Sequence, residues 1–99
     1  MRKVVWSQAA IDDFDNQLNF IALDSLNNAR LVADRVEATI ASLAEMPTGR
    51  FGRVSGTYEK FVSKTSLIIA YIIDDQGSLG IVRVIHGARN WPEGDWPEE

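Results

Sequence analysis

The sequence predicts an α+β fold of order β-α-α-β-β-β, a small, curved, antiparallel-rich sheet packed against a helical hairpin. Apolar residues recur at helical spacing up to Pro47, and after Gly52 they gather into short β-branched and aromatic runs separated by turn residues. Length supplies the third observation, since 99 residues of 45% hydrophobic composition hold one core and therefore one domain, residues 1–99.

Lys3 to Trp6 reads as the opening strand, because β-branched and aromatic side chains stand together ahead of a polar break at Ser7. Ser7 is a candidate N-cap. Beyond it Ile11, Phe14, Leu18 and Ile21 mark one face of a helix, with Asp12, Asp13 and Asp15 in its early turns, where the helix dipole favours negative charge. Asp24-Ser25 interrupts that stripe and offers a second cap. Ala29, Val32, Val36, Ile40 and Leu43 then mark a second helix, which ends before Met46-Pro47. Two helices so connected form an antiparallel hairpin.

Pro47 to Gly52 has the composition of a loop. Three strands follow, Tyr58 to Val62, Leu67 to Ile73 and Leu79 to Ile85, joined as an antiparallel meander. Leu67 to Ile73 is apolar at nearly every position and is assigned to the centre of the sheet, where both faces are covered. Four strands in all are expected.

Ten basic and fourteen acidic residues give a net charge of −4, which argues against bare nucleic acid or an anionic membrane as the main partner. The charges are unevenly spread. Residues 1–47 carry −3, residues 48–89 carry +3, and the closing segment, residues 90–99, carries −4. A basic segment followed by an acidic tail suits a tail that folds back, or a basic surface that meets an acidic protein partner. The chain has no cysteine, so a disulfide framework and a thiol nucleophile are excluded, as fits a reducing compartment. Its apolar runs are too short to span a bilayer, its first residues lack the pattern of a signal peptide, and a cytoplasmic location is expected. Nothing in the pattern calls for a cofactor or a metal.

Several motifs combine along the chain: Val4-Val5-Trp6-Ser7, the Gly-Arg-x-Gly-Arg-Val run from Gly49 to Val54, the pair Gly56-Thr57, and the close Arg83-Val84-Ile85-His86-Gly87-Ala88-Arg89-x-Trp91-Pro92. Together with the order of elements, they resemble the RelE/ParE toxins over nearly the whole length, and the closing motif is the most specific part. The resemblance implies the poison half of a bacterial toxin–antitoxin pair, bound and silenced by a cognate antitoxin of ParD-like or similar type.

Two activities are known in that superfamily. RelE-like members cut messenger RNA on the ribosome, and ParE-like members poison DNA gyrase without being nucleases. RNA cleavage by 2′-hydroxyl attack needs an acid, a base and cations converging on one phosphate. The available residues are Glu59, Lys60, Lys64, Arg83, His86 and Arg89, of which Arg83, His86 and Arg89 form the nuclease set. On a strand Arg83 and Ile85 point one way, Val84 and His86 the other.

The nuclease branch usually carries an arginine just before the apolar strand and an aromatic hydroxyl close to the carboxyl end. Here Ser66-Leu67-Ile68 and Gly87 stand in those places, and the acidic net charge suits docking on a ribosome poorly. The sequence therefore reads as ParE-like, with nuclease and non-toxic co-repressor as the alternatives. Arg50, Arg53, Arg83, Arg89 and Trp96 are the expected contacts to target or antitoxin. Each also has a structural reading. Arg83 and Arg89 can pair with Glu59 and the acidic tail, His86 can serve as a hydrogen-bonding group at a strand end, Trp6 and Trp91 can pack on the core, and loop arginines can be simply solvated.

Overall fold

Two serines organise the helical half. Ser7 accepts the Ala10 N–H at 3.0 Å and opens α1 (Gln8–Asp24). Ser25 closes α1 with its own N–H and opens α2 (Leu26–Glu45) by accepting from Asn28, so one extended residue turns the chain between two helices. The computed structural model describes residues 1–87; Arg89, Trp91 and Trp96 lie outside the described residues. Among the described residues, no helix is long and apolar enough to cross a membrane.

The sheet has five strands, β1 (Val4–Trp6), β2 (Arg50–Phe51), β3 (Tyr58–Phe61), β4 (Leu67–Ile73) and β5 (Leu79–His86), in the spatial order β1-β5-β4-β3-β2. The last four pair as an antiparallel meander, whereas β1 runs parallel to β5, with Val4 opposite Leu79 and Trp6 opposite Ile81. A parallel neighbour requires a long crossover, and the helical hairpin is part of it.

β4 lies at the centre and explains its own composition. Leu67, Ile69 and Tyr71 face the helices and pack with Val36, Ile40 and Leu43, while Ile68 and Ala70 alternate to the other face and are buried as well. Each large apolar side chain so buried stabilises the fold by roughly 1.5–3 kcal/mol.

Three expectations need correction. The sheet has five strands rather than four, because Arg50 and Phe51 pair with Glu59 and Tyr58 instead of forming a loop. Ile11 is exposed, and α1 buries Ala9 and Ala10, where small side chains let the helix approach β5 closely. The aspartates lie beyond the first turn of α1, so they are not placed to answer the helix dipole; Asp13 has a tertiary role. Trp6 is half-buried and packs against Phe14, with ring centroids 5.5 Å apart.

Candidate functional site

β1 stops at Trp6 while β5 continues to His86, so the outer edge of β5 loses its strand partner midway. The start of α1 takes over that edge. The Ser7 N–H donates to the Ile81 carbonyl at 2.9 Å and the Ser7 hydroxyl to the Val82 carbonyl at 2.7 Å. Val82 is the extra residue of a bulge, since Ala70 faces Arg83 and Tyr71 faces Ile81. Just past the bulge Asp13 completes the edge, accepting the Val84 N–H at 3.0 Å and, on its two oxygens, Arg83 Nε at 2.7 Å and Nη2 at 2.8 Å. The side chains of Arg83 and Asp13 are only 13% and 17% exposed, so this fork-on-carboxylate pair acts in a partly desolvated setting.

A second ion pair orders the loop after β2. Glu59 is 4% exposed and accepts from the Arg53 backbone N–H at 2.8 Å, from Nε at 2.9 Å and from Nη2 at 3.2 Å. Burial by itself would raise the Glu59 pKa. The hydrogen bonds from Arg53 and the charges of Arg53 and Arg50 outweigh it and hold the carboxyl below its ordinary range.

Behind this loop three rings stack in sequence. Tyr71 lies 5.7 Å from Tyr58, and Tyr58 lies 5.7 Å from Phe51. The Tyr71 hydroxyl accepts the Gly49 N–H at 2.7 Å, which ties the start of β2 to the core. Burial raises the Tyr71 pKa, the Gly49 bond opposes that, and Tyr58 adds to it.

Arg50 and Arg53 are thus brought together around Glu59, whereas Arg83 is held by Asp13 and His86 lines a groove. Val84 enters the core on the helix side and His86 lines a groove against the helices, while Arg83 and Ile85 alternate to the opposite side. The sequence-level pairing of Arg83 with Glu59 is wrong, since Glu59 is held by Arg53 and Arg83 by Asp13. Asp13 itself was missed. Its signal was position, because it stands three residues after the fully buried Ala10 and so shares that inward helical face. Among the described residues, no group of three His, Asp or Glu is arranged to hold a metal ion.

The groove beside His86 has a volume of about 820 Å³ and runs between the hairpin and the β3–β4 turn. Phe20, Ile21, Leu31 and Val32 give it apolar walls, and Arg35 and Lys64 stand at its border, where Arg35 Nη1 donates to the Lys64 carbonyl at 3.4 Å.

A helical hairpin crossing over to a mixed sheet with this strand order is the architecture of the RelE/ParE superfamily. The same fold is found in a solved structure described as the chromosomal ParDE TA system from P. aeruginosa, with a TM-score of 0.76, 16% sequence identity, and coverage of 87% of this chain and 96% of that one. The profile of the ParE toxin of the type II toxin–antitoxin system parDE matches residues 4–91, and the chain belongs to this family. A protein of Sinorhizobium fredii (strain NBRC 101917 / NGR234) named "Putative toxin Y4kP" is 29% identical over 93 residues, which cover 93% of this chain and 95% of that protein.

Proposed function

We propose that the protein poisons DNA gyrase through protein–protein contact and is silenced by a cognate antitoxin. The observation that carries the non-catalytic reading is the bidentate Arg83–Asp13 pair. A cation meant to stabilise a phosphorane in RNA cleavage must be free to reach phosphate. Arg83 is instead committed to a carboxylate, and its side chain alternates with that of His86 along β5. With the strand's arginine so committed, action through contacts is favoured over action through chemistry.

Silencing is assigned to the groove beside His86. Its apolar walls and the two cations at its border suit an acidic amphipathic segment of the antitoxin, whose apolar side chains would fill the groove while its carboxylates meet Arg35 and Lys64. Removal of the antitoxin's carboxyl-terminal half is expected to abolish the complex; unchanged affinity after that deletion would overturn the binding mode.

The deciding experiment for the target compares the purified toxin in two assays, gyrase supercoiling and message cleavage in a translating extract. Inhibition of supercoiling with messages intact is the expected result. Cleavage of messages with supercoiling untouched would replace this reading by the nuclease one, and no growth arrest at all would favour the co-repressor.

A further inference from the structure

The two residues of β2 do little for the core, yet the fold holds them firmly in place. Phe51 is 86% exposed and Phe61 53% exposed, a large aromatic surface that a lone domain gains nothing by showing to water. Phe51 is not loose, because it caps the ring stack Phe51–Tyr58–Tyr71 rooted in the core. Glycines flank the strand for a steric reason. A Cβ at Gly49 would collide with the Tyr71 ring and hydroxyl, and a Cβ at Gly52 with the Thr57 hydroxyl, so only glycine lets β2 lie this close to its support.

The charges are arranged to match. Arg50 stands across from Glu59 in the β2–β3 register, but that carboxylate is already held through three hydrogen bonds by Arg53. The Arg50 guanidinium lies instead 5.7 Å from the centre of the Phe61 ring, an exposed cation–π contact that leaves its donors available to a partner.

β2 is also a sheet edge, since the strand order ends there among the described residues. The Gly52 N–H donates inward to the Thr57 carbonyl at 2.8 Å, and the ladder alternates, so the Phe51 N–H and carbonyl point outward, away from β3 and unpaired among the described residues. The side chains alternate too. Phe51 shares a face with Tyr58 and Tyr71 on the helix side, whereas Arg50 shares the opposite face with Glu59 and Phe61. A strand added at this edge would meet an aromatic ring on one face and a cation beside a second ring on the other.

We propose that the β2 edge is the surface through which the toxin grips its target, by pairing with an extended segment of the poisoned enzyme in which apolar and acidic residues alternate. The apolar residues cover Phe51 and the acidic ones meet Arg50. This assignment rests on the contact-toxin reading above. It separates the target surface from the antitoxin groove, which is built from the hairpin and the β3–β4 turn.

The test uses the full chain and three variants, Arg50→Glu, Phe51→Ala and Phe51→Pro, with thermal unfolding as the check on folding. Arg50 and Phe51 are exposed, so the first two changes are expected to leave the fold intact. Each should weaken gyrase inhibition and growth arrest by about tenfold or more while antitoxin binding stays at the parent's level. Phe51→Pro removes the outward N–H as well as the ring, and should act more severely than Phe51→Ala if a strand is added.

Full potency of folded Arg50→Glu and Phe51→Ala against a gyrase that the parent inhibits would overturn the surface and leave the gyrase reading standing. Arrest lost in the variants while the parent spares gyrase would overturn the gyrase reading and keep the surface. Lost antitoxin binding with arrest retained would assign the edge to the antitoxin and overturn the proposal, and equal potency of Phe51→Ala and Phe51→Pro would overturn strand addition.

Discussion

Asp13 and Arg83 lie 70 residues apart in sequence and meet through two hydrogen bonds of 2.7 and 2.8 Å, and Asp13 accepts a third from the Val84 N–H. One carboxylate therefore does two jobs. It neutralises the arginine that a nuclease reading would need, and it pairs the backbone of β5 where β1 has run out. α1 is fixed to the sheet at that point by polar bonds, and by the packing of Phe14 on Trp6 one residue later.

The first prediction follows from the partial burial of this pair. Asp13→Asn takes the Asp13 charge away from the Arg83 guanidinium, and Arg83→Gln takes the guanidinium away from the Asp13 carboxylate. Each change should cost about 2–3 kcal/mol in urea unfolding. The double variant should cost clearly less than the sum, since both single changes remove the same contact. Strict additivity would mean that the contact contributes nothing to stability.

A second prediction concerns acid. The Glu59 carboxyl is held below its ordinary value of 4.5 in the folded protein, so between that value and its lower folded one the unfolded chain binds more protons. The Arg53–Glu59 contribution is therefore fully present above about 4.5 and is lost as pH falls through the folded value. Stability measured from pH 7 downward should drop in the parent more steeply than in Glu59→Gln. Parallel curves for the two proteins would exclude Glu59 as a source of acid sensitivity.

A third prediction tests the support of β2. Tyr71→Phe leaves the Gly49 N–H without its acceptor and should cost about 1–2 kcal/mol. Gly49→Ala should do more, because the added methyl would strike both the Tyr71 hydroxyl and the Glu59 carbonyl and push β2 off its stack. Amide exchange at residues 50–53 should quicken in both variants, and unchanged protection there would show that the strand does not depend on Tyr71.

The difference between what could and could not be read from sequence is one of range. Ser7 and Ser25 were legible as caps because capping chemistry is complete within four residues, and Leu67 to Ile73 was legible because a strand covered on both faces has to be apolar throughout. Arg50-Phe51 was not, since a two-residue strand is defined by Glu59 and Tyr58 across from it, and its flanking glycines look like those of any loop. The arginines of the candidate site were all visible as charges. Which carboxylate Arg83 would find depended on the bulge at Val82 and on the termination of β1, and neither leaves a local mark on the sequence.

The last prediction separates contact from chemistry. His86 lines the groove against the helices, while the Arg83 guanidinium is held by the Asp13 carboxylate. His86→Gln keeps a side chain able to donate and accept hydrogen bonds but cannot exchange a proton near neutral pH. It should therefore retain most growth arrest. Arg83→Ala combined with Arg89→Ala should do more harm, through the vacated Asp13 and through charge lost from the basic segment. Toxicity has to be compared at equal folded protein, with supercoiling and message cleavage scored beside it, because the Arg83 change alone is expected to destabilise the domain. Loss of arrest in a folded His86→Gln protein, together with message cleavage by the parent, would replace the contact mechanism by ribosome-dependent RNA cleavage.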